Sequence, residues 1–392
     1  MKVCFETFGC RLNRAEALDQ EAEYLAGGWK LTSSHSDADV IVVRGCSVTR
    51  RAQRDCEQLI AHIRKKYPSK RLLVEGCIAA AHMSKIAAPQ PHIAFRNAPG
   101  DAPVPTRTAR AYLKVQDGCS GTCTFCIVPK FRGKSSSVGF DAVLDKAKRF
   151  IDAGYHEIVV TGCNLSLYAA GGKRLPELMA ALAVLSPDCR IRLGSLEPSE
   201  VAMDVVAVMA GNSNVCRFMH IPVQSASNRI LVAMKRPYTA KDVDELVRAI
   251  RRQAPDAGIG CDLMTGFPSE SDLDFMATLG MLERNSFSRV HVFPYSERPG
   301  TVAASMHGAL PPEIRKARAK KLSLIADNKR TAFAKRFIGK TTEIVVEDED
   351  TCSGWTSEYL GCSCQHAHRP RKSLVRVRIV ESKGHTLIGT AI

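Results

Sequence analysis

The chain has 392 residues, 45% of them apolar and 24% charged, with a net charge of +15. This is the composition of an ordinary soluble globular protein with room for two or three domains. No uninterrupted apolar run is long enough to cross a bilayer as a helix, and Met1-Lys2-Val3-Cys4-Phe5-Glu6 lacks a signal-peptide layout, so neither a membrane helix nor a signal peptide is expected. Fifteen cysteines, an odd number, argue for metal ligation in a reducing, cytoplasmic setting and against a disulfide framework. The positive charge calls for an acidic partner. Nucleic acid is the first candidate and an anionic membrane surface the second, with a generic solubility effect as the bland alternative.

The amino-terminal pattern is β-α-β-α-β. Strands are expected over Lys2–Phe8, Ala38–Val43 and Arg71–Val74, and helices over Asn13–Gly27 and Ser47–Tyr67. Continuous apolar strands of this kind form a small parallel sheet. Cys10, Cys46 and Cys77 each follow the carboxyl end of a strand. In an open parallel sheet those ends share one edge, where ligands bind, so the three thiols are expected to converge. The alternative is that they are ordinary buried cysteines. Cys4 and Cys56 lack the placement and belong to core or surface. Pro89 to Thr106 is proline-rich and polar, as a linker is.

After an apolar run at Tyr112–Val115 stand Cys119, Cys123 and Cys126, at C-x3-C-x2-C spacing. A short loop of this kind wraps three thiolates, the soft ligands of iron–sulfur clusters, around one cluster face. No fourth cysteine is near; the next is Cys163. Three ligands leave one iron open for chemistry. A zinc site or three unrelated thiols are the alternatives, but the paired ligands of a zinc knuckle are missing. Strand runs then repeat at Tyr112–Val115, Glu157–Thr161, Arg190–Ser195, Phe218–Val223, Gly258–Met264 and Val290–Tyr295, with helices between. Six β-α units suggest a partial barrel whose site lies at the carboxyl face of its strands. Gly162, Asn164, Glu197, Gln224, Ser225, Gly266 and Tyr295 follow the strands and are expected to line the pocket, each with a purely structural role as the alternative. Cys163, Cys189, Cys216 and Cys261 are expected to pack as small hydrophobes.

Pro311 to Phe337 is a long basic helix, either solvated or in contact with phosphates. Thr341 to Ile392 reads all-β. Its basic side chains with Trp355 and Tyr359 suit phosphate contact and base stacking. Cys362, Cys364, His366 and His368 form either a metal tract or, preferred here, part of a basic RNA-contacting loop.

The cysteine spacing, with Phe125 before the third cysteine, resembles the radical S-adenosylmethionine superfamily. Arg132-Gly133-Lys134 resembles the continuation seen in its methylthiotransferase branch. Thr7-Phe8-Gly9-Cys10-Arg11-Leu12-Asn13 with Glu16, Gly45-Cys46-Ser47-Val48-Thr49, and Glu75-Gly76-Cys77 are similar to the three cysteine signatures of that family's amino-terminal domain. His220 to Tyr238, Asp262 to Glu270 and His291 to Thr301 match its barrel stretches, and Gly354 to Tyr359 its terminal TRAM barrel. Departures are Arg44-Gly45, where the family has Asn-Thr, and Ser269 and Ser271, where it favours Gly and Thr.

The resemblance implies an α/β protein in three units: a parallel α/β domain over 1–98, a partial (β/α)6 radical barrel over 105–336, and a small β-barrel over 337–392. It implies two 4Fe-4S clusters, one on Cys119, Cys123 and Cys126 that binds S-adenosylmethionine, and one on Cys10, Cys46 and Cys77 that handles the inserted sulfur. Phe125, Gly162, Asn164, Glu197, Gln224 and Ser225 are the expected cofactor contacts; Arg11, Arg44, Trp355 and Tyr359 are the expected substrate contacts. The implied partners are the anticodon stem-loop of a tRNA, a sulfur donor, and an electron donor such as flavodoxin or ferredoxin. A monomer with no membrane association is expected. The amino-terminal signature and the entry into Cys119 look most like the branch acting on threonylcarbamoyl-adenosine. The isopentenyl-adenosine branch, the branch acting on a ribosomal-protein aspartate, and a non-enzymatic iron–sulfur RNA-binding or redox-sensing protein are the alternatives.

Overall fold

The computed structural model describes residues 1–48, 50–82, 103–105, 107–365 and 368–392. The proline-rich stretch expected to be a linker falls almost wholly outside them, as does His366.

The amino-terminal sheet is parallel, in the order Lys30–Thr32, Lys2–Thr7, Val40–Gly45, Arg71–Gly76. Its central strand Val40–Gly45 is buried along almost its whole length, as an all-apolar Val-Ile-Val-Val run requires. The short strand Lys30–Thr32 is an addition to the expected β-α-β-α-β. Helix Arg11–Ala26 starts directly at Cys10, and helix Cys77–His82 starts at Cys77 itself. Cys4 and Cys56 are core residues.

Six parallel strands follow in an arc. Ala111–Lys114, Glu157–Thr161 and Arg190–Leu193 form one half; Phe218–Gln224, Gly258–Thr265 and Arg289–Pro294 form the other. Parallel bridges Ile191–Val215 and Ser195–His220 join the halves. An open arc leaves two edges, and both are covered. Helix Arg11–Ala26 packs on the first strand, with Ala15 and Leu18 against Tyr112 and Val159. Helix Pro312–Lys335 packs on the last. Ile314, in the first turn of that helix, is exposed.

The terminal barrel is closed, in the order Thr341–Asp348, Ser353–Thr356, Gly361–Gln365, Thr386–Ala391, Leu374–Lys383. Phe333 and Ala334, at the end of the long helix, and Phe337, just beyond it, sit in its core. Cys362 and Cys364 point into that core with Cys352. Burial pushes both thiols up to about 12. The barrel is clamped to the radical domain by arginines. Arg190 donates to the carbonyls of Glu343 and Trp355, and Arg192 to those of Thr356 and Ser357. Both guanidiniums also bind the fully buried Glu157 carboxylate. Burial disfavours that charge, but Arg192, Arg190 and Arg110 outweigh it and hold Glu157 well below the usual carboxylate range.

Candidate functional site

Thr7, Gly45 and Gly76 end neighbouring strands, so Cys10, Cys46 and Cys77 leave the sheet along one edge. Their close approach requires glycine. Gly9 has φ +92°, and a Cβ there would sit 2.4 Å from Cys46 Cβ; Gly76 has φ +78°, and a Cβ there would meet the Gly45 carbonyl oxygen at 2.7 Å. Asn13 ties the edge together, donating to the carbonyls of Phe8 (2.8 Å) and Gly45 (3.2 Å). Two of the thiols stand at helix starts.

Arg132, six residues beyond Cys126, reaches into this site. Its Nε donates to Cys77 Sγ at 3.3 Å, while its Nη atoms bind Asn13, Glu16 and Asp117. Burial pushes the Cys77 thiol up, and the Arg132 charge opposes that. The second triad has a matching arginine. Arg236 Nη1 donates to Cys123 Sγ at 3.1 Å, and its Nη2 to Glu197 Oε1 at 2.6 Å. The Gly121 N–H donates to Cys119 Sγ, and burial pushes Cys126 up to about 11. The loop is pinned from behind: Thr124 donates to the carbonyls of Met234 and Ala233 and accepts from the Ala303 N–H.

Neither triad closes around a single ion. Among the described residues, the only group of His, Cys, Asp or Glu with all ligand atoms within 4.8 Å is Cys4, Glu6 and His35. Three sulfurs spread wider than one ion, with N–H donors on the sulfur, suit a polynuclear iron–sulfur face. A cationic metal centre would also convert buried, raised-pKa thiols to thiolates.

Cys10, Cys46 and Cys77 open onto a cavity of about 720 Å³ that continues into the interior of the radical barrel. Gly162 and Cys163 line it near the strand ends, so Cys163 faces the cavity rather than packing away. Further in stand Ser195, His220, Asp262, Arg289 and His291. They form two groups: Ser195 Oγ lies 3.0 Å from His220 Nδ1 and His220 Nε2 lies 3.3 Å from Asp262, while Arg289 Nε donates to His291 Nε2 at 3.4 Å.

Of the expected cofactor contacts, Phe125 packs against the apolar cluster of Phe267, Tyr295 and Met264, and Glu197 is held by Arg236 beside Cys123. Gln224 is buried at φ +63° with Oε1 lacking a partner among the described residues. That is a strained, unsatisfied group of the kind functional sites hold. Asn164 uses its side-chain oxygen to cap the turn at Ser166. Ser225 does not reach the cavity: the turn at Gln224 sends it behind the strand, fully buried against Thr278 and Ser227.

Of the expected substrate contacts, Arg11 and Tyr359 line the cavity. Arg44 is not a free cation, because its guanidinium is held by Glu16 (3.0 Å), Gln20 (3.1 Å) and Glu75 (2.6 Å). Trp355 does not offer an open stacking face. Its indole donates to Glu347 and its ring stacks on Tyr359 at 4.7 Å. The pair faces the radical domain, and Tyr359 forms the cavity's far wall among Arg289 (4.7 Å), Arg192 (4.8 Å), Arg11 (5.1 Å) and Arg110 (5.9 Å). Burial disfavours its phenolate, but Arg11, Arg110 and Arg192 win and lower it to about 8. Arg132, Arg236 and Arg289 are site residues that sequence reasoning did not single out. The only signal was their position: Arg132 and Arg236 lie in stretches similar to the family, and Arg289 starts a strand.

Two family models match the chain: the Radical SAM superfamily over residues 113–282, and Uncharacterized protein family UPF0004 over residues 2–96. Among curated proteins, the chain is 30% identical to the "Threonylcarbamoyladenosine tRNA methylthiotransferase MtaB" of Aquifex aeolicus, over 97% of this chain and 100% of that one. It is 31% identical to the "tRNA-2-methylthio-N(6)-dimethylallyladenosine synthase" of Porphyromonas gingivalis, over 88% and 84%. Among solved structures, the radical S-adenosylmethionine methyltransferase TsrM of Kitasatospora setae shares the fold, with a TM-score of 0.55, 12% identity and 77% of each chain covered. The family supplies S-adenosylmethionine and a 4Fe-4S cluster as cofactors, and the open three-cysteine loop fits them. With two family models matched in the expected order and relatives aligned over nearly its whole length, the chain belongs to the radical S-adenosylmethionine methylthiotransferases.

Proposed function

We propose that this enzyme adds a methylthio group to carbon 2 of threonylcarbamoyl-adenosine beside the anticodon of a tRNA. The observation that carries the reading is a continuous cavity that joins Cys10, Cys46 and Cys77 to the interior of the radical barrel. That carbon has no leaving group and no acidic proton, so neither nucleophilic nor general-base catalysis has a handle on it. When bound, S-adenosylmethionine and two 4Fe-4S clusters would supply homolytic C–H cleavage and a methylated sulfur. Cys119, Cys123 and Cys126 would hold one cluster and Cys10, Cys46 and Cys77 the other. Arg236 donates to Cys123 Sγ and Arg132 to Cys77 Sγ, so each fixes one thiol of its set. Phe125, Gly162, Glu197 and Gln224 would border the S-adenosylmethionine. The base has to leave the anticodon stack to enter the cavity, as base-modifying enzymes require.

The basic chain, with exposed Lys316, Lys320 and Lys321 on the long helix, supports phosphate contact. A division at 1–98, 105–336 and 337–392, a monomer acting in the cytoplasm, a flavodoxin- or ferredoxin-like electron donor and a separate sulfur donor complete the reading. The second reading, isopentenyl-adenosine as substrate, is favoured by the equally similar Porphyromonas gingivalis relative. Incubating the reconstituted enzyme with tRNA carrying one or the other group, followed by nucleoside mass spectrometry, tests the choice. Methylthiolation of the threonylcarbamoyl form is expected; methylthiolation of the isopentenyl form alone overturns it.

A further inference from the structure

Four guanidiniums surround Tyr359 at the far wall of the cavity, but they are not equivalent. Arg110 is paired with Glu347 at 2.8 Å and lies 3.6 Å from Glu157. Arg192 is paired with Glu157 at 2.6 Å. Arg11 and Arg289 have no carboxylate partner among the described residues. Arg11 donates to the Leu193 carbonyl, and its guanidinium carbon lies 5.1 Å from the centre of the Tyr359 ring. Arg289 donates Nε to His291, while its Nη1 is buried without any partner among the described residues. The carboxylate that also lines the cavity, Asp262, is placed on His220 instead. Two partly desolvated cations without a counter-ion are costly, and the cost is relieved by an anion entering the cavity. Guanidinium forks recognise a carboxylate best.

We propose that Arg11 and Arg289, backed by the Tyr359 hydroxyl, form a carboxylate-binding subsite that takes the anionic end of the substituent on the adenine. This rests on the tRNA reading above and names what would select between its two substrates. A threonylcarbamoyl group ends in a carboxylate. An isopentenyl group is neutral and apolar, and would leave both guanidiniums buried and unpaired. A site built on charged hydrogen bonds rejects a partner that lacks them far more strongly than an apolar pocket rejects an extra group. Tyr359 comes from the terminal barrel and Arg11 from the amino-terminal domain, so all three units would read one substituent.

The test is binding by the cluster-loaded protein, measured by fluorescence anisotropy with three stem-loop RNAs. They carry threonylcarbamoyl-adenosine, its methyl ester, and isopentenyl-adenosine. Wild type is expected to prefer the free acid, and R289Q to lose about tenfold or more in affinity for that RNA alone. R289K should recover part of the loss, since it restores charge but not the fork. Equal wild-type affinity for acid and ester overturns the subsite, and this comparison needs no variant to fold. An equal loss across all three RNAs in R289Q also overturns it, because a general RNA contact or a structural role acts that way. Product formation by wild type separates the two levels. Methylthiolation of isopentenyl RNA alone defeats the substrate reading; methylthiolation of the threonylcarbamoyl form with no acid–ester preference defeats only the subsite.

Discussion

The Arg132 guanidinium donates to Cys77 Sγ at 3.3 Å, although the two residues belong to different domains. The same side chain binds Glu16 of the amino-terminal domain at 2.8 Å and Asp117 of the radical loop at 3.1 Å. It therefore locks the two cysteine sets at one separation. Replacing it with Met leaves Glu16 with less of its compensation. Burial works against the Glu16 carboxylate, and Arg132 is the first of the groups that hold it low. R132M is expected to lose about 3 kcal/mol of stability, as broken buried pairs do. It should keep cleaving S-adenosylmethionine but form little methylthio product. A variant with wild-type product yield would sink the locking role; denaturant midpoints and product assays measure both effects.

Two clusters held as proposed, one on each triad, would make separable demands on iron. Substituting Cys119, Cys123 and Cys126 by Ala should halve the bound iron and abolish 5'-deoxyadenosine formation. Substituting Cys10, Cys46 and Cys77 should also halve the iron but leave that cleavage intact and stop sulfur insertion. Iron analysis and chromatography of the nucleoside products read this out. Complete loss of iron from either triple variant contradicts two independent sites.

Much of this architecture is legible in the sequence because it follows from chain direction. Glu157–Thr161 was placed to the residue, and the other barrel strands to within about two, since each is an apolar run between helices. Convergence of Cys10, Cys46 and Cys77 follows from parallel strands ending on one edge. What a side chain meets is not so encoded. Arg44 looks like a free cation until Glu16 and Glu75 are folded around it. Aromatic residues among basic ones describe an RNA surface and an internal arginine clamp equally well, and Trp355 and Tyr359 belong to the clamp. Cys362 and Cys364 share a strand face by their spacing of two, but only the barrel's closure makes that face its core.

The environment of Tyr359 predicts a pH signature. Burial alone would raise its pKa, but Arg11, Arg110 and Arg192 bring it from 10 down to about 8. Because the folded value is depressed, the phenolate's contribution to stability is present above pH 10 and is lost as pH falls through about 8. The wild-type-minus-Y359F ultraviolet difference spectrum should show tyrosinate appearing near pH 8. Appearance of that signal only near pH 10 would mean that the arginines do not act on the ring.

Glu157 carries the docking of the terminal barrel. Its carboxylate is fully buried and holds Arg190 and Arg192, with Arg110 at 3.6 Å, and those arginines in turn bind the barrel's carbonyls. E157Q keeps the shape but leaves the guanidiniums without their shared charge. Breaking a buried pair from one side costs about 3–5 kcal/mol. The folded carboxylate is held well below its ordinary 4.5, so its contribution is complete above that value and is lost as pH falls below it. Wild-type stability should therefore decline through the acid range with a step that E157Q lacks. With Trp29 replaced by Phe, Trp355 becomes the sole tryptophan, since the chain has two. Its emission then reports whether the stack on Tyr359 against the radical domain persists. E157Q should undock Trp355 at a lower denaturant concentration than wild type at neutral pH, and the two proteins should converge under strong acid. Coincident curves at neutral pH would show that the barrel is held by its apolar contacts and not by this carboxylate.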